Sequence, residues 1–218
     1  PWLEHQLDAV ALKLVDLHLE EGQLCSEHRI LTPANVELGS FRQHWVFSSD
    51  KLYYSVNIIL NDQVKEYPRV GLKCDLDKTW SSCRWFGLGP GENYPDRKDG
   101  SAMGDYYAHV DELYEPYIVP QDHGERTQLR RLDLFDGDTG GVRLRSSDLF
   151  SFALHKYSLQ ELWEKLHADQ LVADSVNHLY LDAAVRGVGT ATCGPDTLER
   201  YRVRSGVHRL SFTISSSH

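Results

Sequence analysis

The chain has 218 residues, 41% of them hydrophobic and 25% charged, with a formal net charge of -9. That length is enough for one sizeable core, and the acidic balance excludes the concentrated basic face that nucleic-acid binding demands. No run approaches the roughly 18 consecutive apolar residues of a membrane-crossing helix.

Pro1-Trp2-Leu3-Glu4-His5 has neither the basic start nor the apolar centre of a secretion leader, and Met103 is the only methionine. A fragment or processed piece of a longer, cytoplasmic protein is therefore expected. Cys25, Cys74, Cys83 and Cys193 form no C-x-x-C pair. That argues against a zinc site or a disulfide scaffold and for reduced thiols.

In chain order, a short helix is predicted over Trp2 to Leu7. Leu12, Leu14, Leu17 and Leu19 then alternate as a strand with one slip, read as a bulge. Tyr53 to Ile58 is rich in aromatic and β-branched types. Val70, Leu72, Cys74 and Leu76 alternate strictly, as do Phe150, Phe152 and Leu154, then Leu179, Leu181, Ala183 and Val185, and finally Leu210, Phe212 and Ile214. Short alternating runs bounded by Gly, Pro, Asn and Asp are the mark of an antiparallel β-sandwich. One helix interrupts them: Ser158 caps a run through Leu159, Leu162, Trp163 and Leu166, with Glu161 placed as capping-box partner. Residues 1–218 read as a single all-β domain with one or two short helices.

Three segments concentrate unusual residues. Trp85-Phe86-Gly87-Leu88-Gly89-Pro90-Gly91-Glu92-Asn93-Tyr94-Pro95-Asp96-Arg97-Lys98 predicts an elaborate loop rather than strand interior, because proline removes donors and glycine favours turns. It is not a phosphate loop, since Pro90 offers no N–H and no Lys-Ser or Lys-Thr follows. Glu92 and Asp96 have the residue types of a glycosidic acid/base pair, but Glu92 and Arg97 read better as charged ties of an irregular loop. Tyr114 to Arg126, with Pro116, Tyr117, Pro120, Gln121 and Gly124, suits an extended path that packs tyrosine rings. Gly187-Val188-Gly189-Thr190-Ala191-Thr192-Cys193-Gly194-Pro195 makes a shaped loop after a strand, where binding residues are often placed.

Other patterns carry less. Asp133, Asp136 and Asp138 precede Gly140 and Gly141, but Leu144 stands where an EF-hand needs glutamate, so a solvated acidic turn is expected. The eleven histidines form no metal-binding spacing and read as surface or hydrogen-bonded structural residues.

Pro68-Arg69-Val70-Gly71, the Trp85–Arg97 run, Tyr114-x-Pro116-Tyr117-x-x-Pro120-Gln121-x-x-Gly124-x-Arg126, Phe152 to Ser158 with Leu162 and His167, and Gly187-x-Gly189 leading to Cys193-Gly194-Pro195 occur in that order. Together they resemble the C-terminal, small-chain region (domain 5) of family 2 beta-galactosidases over nearly the whole chain. The resemblance implies an antiparallel supersandwich similar to the galactose mutarotase fold. It makes Trp85, Gly87, Gly89, Pro90, Glu92, Tyr94, Asp96, Arg97, Tyr117 and Arg126 its structural signature. The implied activity is retaining hydrolysis of terminal beta-D-galactosyl residues, as in lactose, by two carboxyl groups about 5 Å apart. In that family these lie in an upstream TIM barrel, with magnesium and sodium, so no catalytic residue, cofactor or metal ligand is assigned to this chain.

The resemblance further implies that the loop after Gly189 reaches the mouth of the active site. Where one branch stacks a tryptophan on sugar, this chain has Cys193 in a loop one residue shorter. Thr192 and Cys193 then line the entrance, or the loop packs against the barrel; both readings stay open. The family's more N-terminal Arg-x-Pro-x-Asp-Asn-Asp run is missing, which implies an N-terminally incomplete sandwich with exposed edges. Dependence on a catalytic domain or large subunit, or on oligomerisation, is expected. The rival readings are a free-standing carbohydrate-binding sandwich and a mutarotase-like aldose epimerase, which requires a convergent histidine and carboxylate set.

Overall fold

A computed structural model describes residues 2–137, 140–190 and 194–217. The strands are β1 (Ala11–Glu20), β2 (Gln23–Leu31), β3 (Glu37–Phe47), β4 (Lys51–Leu60), β5 (Arg69–Asp77), β6 (Trp80–Gly89), β7 (Ala102–His109), β8 (Arg126–Asp136), β9 (Gly141–His155), β10 (Val176–Val185) and β11 (Gly206–Ser217). One α-helix, α1 (Leu159–Glu164), follows β9. The expected all-β antiparallel class is the observed one, as every ladder among these strands is antiparallel.

Strand order is β1-β2-β3-β4-β11-β9-β8-β6-β7, with β10 and β5 branching from β9. The branch is a property of the long β9. Its first residues, Gly141–Arg145, pair with β11, whereas Ser151–His155 pair with β10. Opposite this fork β8 breaks register between Arg126 and Arg131, and Gln128 sits there at φ 60°, a bulge that bends the strand. The alternating residues of these strands converge on one core that includes Trp85, Leu129, Leu132, Phe150, Phe152, Leu181 and Phe212.

Strand β1 has no such cover. Its register against β2 slips between Leu14 and Asp16, the predicted bulge, so Leu12, Leu14, Leu17 and Leu19 face Ile30, His28, Ser26 and Leu24 in turn. All four leucines therefore share the face that carries buried Ile30, yet they are 50–75% exposed.

Several expectations fail locally. Residues 2–6 form turns that lead into a 3-10 segment at Leu7–Ala9 instead of a helix. Ser158 caps α1 by accepting from Glu161 N–H, but the Glu161 carboxylate accepts from Val172 N–H at 2.9 Å rather than closing the capping box. The helix ends at Glu164 and buries only Leu162, leaving Trp163 and Leu166 exposed. Asp133 is not in a solvated turn. It is buried in β8 and takes two bonds from Arg143, at 2.7 and 3.0 Å, because that guanidinium faces it across the hairpin. Asp138 lies outside the described residues.

Trp85–Gly89 is strand and not loop, paired with β7 from Tyr106 to Ala102. The glycines here serve packing instead of turning. A Cβ on Gly87 would meet the Leu129 side chain at 3.0 Å, and one on Gly89 the Tyr106 ring at 2.8 Å.

Candidate functional site

The signature forms the end of β6 and the loop that follows. Trp85 packs on Tyr106 and Phe152 and donates its indole N–H to Leu88 O at 3.0 Å. Arg126, 2% exposed, lies over the Trp85 ring and spends its donors on main-chain oxygens: Gly124 at 2.7 Å, Leu113 and Pro90 at 3.4 Å. A carbonyl-lined guanidinium of this kind supports irregular backbone that has no ladder partners. Asn93 does the same, accepting Thr127 N–H and Oγ1–H at 2.9 and 2.6 Å.

Glu92 and Asp96 point to different places. Glu92 accepts from Gly124 N–H at 2.7 Å, from the Tyr117 hydroxyl and from Arg97. Arg97 also donates to Tyr117 Oη at 3.2 Å and lies over the Tyr94 ring. Burial and the Glu92 charge raise the pKa of the Tyr117 phenol, so it stays a donor. Asp96 instead crosses to the Gly187–Thr197 loop, where its two oxygens accept Val188 N–H at 3.0 Å and Gly189 N–H at 2.8 Å.

The far side of that loop is fixed separately. Arg186 Nη2 donates to both Asp196 carboxylate oxygens, at 2.7 and 2.9 Å, and Nη1 bonds Thr197 Oγ1 at 2.7 Å. Thr197 Oγ1 in turn donates to Gly187 O at 2.8 Å. Thr190 N–H meets Pro195 O at 3.3 Å. The loop thus stands on β10 with its base clamped from both sides. Thr192 and Cys193 lie outside the described residues.

A second polar cluster, unforeseen from sequence, lies under the Gln121–Arg126 segment. Arg69 Nη2 bonds both Glu125 and Asp182 at 2.7 Å and stacks on the Tyr180 ring. The His123 and His155 rings touch, with centroids 4.6 Å apart. Glu125, Asp182, His123 and His155 are all buried, and Glu125 Oε1, His123 Nε2 and His155 Nε2 have no hydrogen-bond partner among the described residues. Burial, reinforced by the Asp182 charge and offset by Arg69, pushes the Glu125 carboxyl well above the usual carboxylate range. Burial, then His123 and the arginines, pushes His155 well below the usual imidazole range. The sequence touched this cluster only through the Pro68-Arg69-Val70-Gly71 and Tyr114–Arg126 runs, and it is Gly71 that brings the strands together. A Cβ there would meet Leu181 O at 2.3 Å and Asp182 Cα at 2.7 Å, so glycine is what lets β5 approach β10.

His178 is likewise buried, held between Asp75 at 2.7 Å and Asp174 at 2.8 Å, a structural role. Cys25, Cys74 and Cys83 are free thiols. No group of three or more His, Cys, Asp or Glu among the described residues is placed to hold a metal. No helix among those residues is long and apolar enough to cross a membrane.

A family model described as beta galactosidase small chain matches residues 2–215. The beta-galactosidase of Pseudoalteromonas haloplanktis is 31% identical over 195 residues, covering 86% of this chain and 18% of its own length. That of Arthrobacter sp. (strain B7) is 27% identical over 224 residues, covering 99% and 22%. The chain spans about a fifth of the length of these curated relatives. A solved structure of an Escherichia coli K12 protein provisionally described as an aldose 1-epimerase is similar over 94% of this chain and 67% of its own, at a TM-score of 0.36 and 10% identity.

Proposed function

The chain belongs to the beta-galactosidase small chain family, and from that premise we propose that it shapes the active-site mouth of a beta-galactosidase whose catalytic carboxylates lie elsewhere in the enzyme. The observation that carries the reading is the clamped base of the Gly187–Thr197 loop, pinned by Asp96 on one side and by Arg186 on the other. Binding loops work when a rigid scaffold fixes their roots and leaves the tip to meet the ligand. Thr192 and Cys193, which fall within that loop in sequence, are proposed to line the entrance for the beta-galactoside.

The carboxylates nearest the signature are already committed to partners. Glu92 holds Gly124, Tyr117 and Arg97, and Asp96 holds two loop amides. A retaining pair needs one carboxylate free to attack and one free to exchange a proton. Hydrolysis of terminal beta-D-galactosyl residues with retention is therefore assigned to a barrel domain or large subunit, with magnesium and sodium. The half-exposed leucines of β1 give that partner an apolar face to cover. Relatives about five times as long supply the polypeptide to do so.

Histidines and carboxylates of the kind an epimerase needs cluster at His123, His155, Glu125 and Asp182, but all four are at most 3% exposed. A hexose has no route to them, which disfavours that rival. The test uses the purified chain. It should neither hydrolyse o-nitrophenyl-beta-D-galactoside nor release heat on galactose titration. Turnover that survives removal of host beta-galactosidase refutes the proposal.

A further inference from the structure

We propose that Asp96 is the positioning residue of the Gly187–Thr197 loop and thereby sets how tightly the assembled enzyme holds its galactoside; this rests on the rim reading above. One carboxylate takes two consecutive amides, Oδ1 from Val188 at 3.0 Å and Oδ2 from Gly189 at 2.8 Å. Paired charge-assisted bonds of this kind fix both distance and orientation. Gly187 completes the fit. A Cβ there would lie 2.5 Å from Asp96 Cγ, so the missing side chain is the space the carboxylate enters. Gly189 adopts φ +62°, a conformation that L side chains rarely take, and a Cβ there would strike Thr197 N at 2.8 Å.

Asp96 is itself immobilised. Tyr94 N–H bonds Arg97 O at 3.1 Å and Arg97 N–H returns to Tyr94 O at 2.9 Å, so Pro95 and Asp96 form the tip of a closed turn. The Arg97 side chain then ties that turn to Glu92 and Tyr117. The clamp by Arg186, Asp196 and Thr197 closes the loop on its own strand and, among the described residues, makes no hydrogen bond to the signature. Among the described residues, Asp96 is the one signature side chain that hydrogen-bonds the loop. It ties the rigid end of β6 to the Val188 and Gly189 amides at the root of the loop.

Asp96→Asn keeps the shape but offers a single acceptor and sets an NH2 donor against one of the amides. Gly187→Ala attacks the same contact from the other side and leaves the carboxylate chemically intact. Two measurements are needed: amide hydrogen exchange on the 218-residue chain, and steady-state kinetics on the complete beta-galactosidase that carries it. Both variants should exchange Val188 and Gly189 amides about tenfold faster. Both should raise KM for the galactoside about tenfold, with a smaller change in kcat, while amides in the core of β9 stay protected. Unchanged protection at Val188 and Gly189 overturns the role of Asp96. Loosened amides with unaltered KM overturn its link to substrate and, with it, the rim reading. Should Asp96→Asn fail to fold, Gly187→Ala and the charge-preserving Asp96→Glu give the same two readouts.

Discussion

Replacing Glu125 by Gln should make the chain more stable at neutral pH. The carboxylate is 1% exposed and Oε1 has no partner, while Oε2 shares the Arg69 guanidinium with Asp182. One partly covered cation thus faces two buried carboxylates, and burial has raised the Glu125 pKa well above its ordinary 4.5. A carboxyl raised in the folded state favours the fold fully below the unfolded value and loses that stability as pH climbs through the folded value. Glutamine retains an acceptor for Arg69 and removes the charge that must otherwise be desolvated. Removal of a poorly compensated buried charge is worth about 1–4 kcal/mol, or about 2–4 °C in Tm per kcal/mol for a chain of this size. The assay is urea denaturation of both proteins at several pH values from 4 to 9. The advantage of Glu125→Gln should be absent near pH 4 and should grow with pH to a plateau. His155, held neutral, gives the opposite slope below pH 6.5 in both proteins, so the difference between them isolates Glu125. A variant less stable than the parent at pH 8, or a difference independent of pH, refutes the electrostatic account.

Arg69→Met removes the cation from Glu125 and Asp182 and should cost about 3–5 kcal/mol at neutral pH, read by the same denaturation; a loss under 1 kcal/mol contradicts the pairing described. His155→Phe should abolish the part of acid destabilisation that sets in below pH 6.5, since a neutral buried imidazole favours folding above its unfolded pKa and loses that stability as pH falls through the depressed folded one. Thermal scans at pH 5 and 7 would detect it as a smaller drop in Tm. Burial pushes the Cys83 thiol up to about 12 and leaves it inaccessible, whereas Cys74 is exposed. Peptide mapping after brief maleimide treatment should find Cys74 labelled and Cys83 untouched until denaturant is added.

The alternating runs were enough to place β1, β5, the end of β9, β10 and β11, because burial of one sheet face imposes period two on the residues themselves. Even the β1 bulge was readable, as the leucine spacing keeps one face apolar only if a residue is skipped. The Ser158 cap was legible for a similar reason: its partner is three residues away. Local chemistry failed where a neighbour distant in sequence decided the outcome. Gly87 and Gly89 read as turn residues, yet they are strand positions emptied for Leu129 and Tyr106. Glu92 and Asp96 read as a possible pair, but one reaches Gly124 and the other Val188 and Gly189. Asp133 found Arg143 across a hairpin, and Arg69 found Asp182 113 positions away.

The amino-acid order by itself determined that this polypeptide is an antiparallel β protein and supplied the motifs that mark its family. Which charges meet, which histidines are sealed, and which carboxylate grips the loop were decided only by the fork at β9 and the close approach of β5 to β10. Hydrophobic periodicity is a property of neighbours along the chain. Ion pairing is a property of neighbours in space, and β-sheet register sets those after the chain has closed on itself.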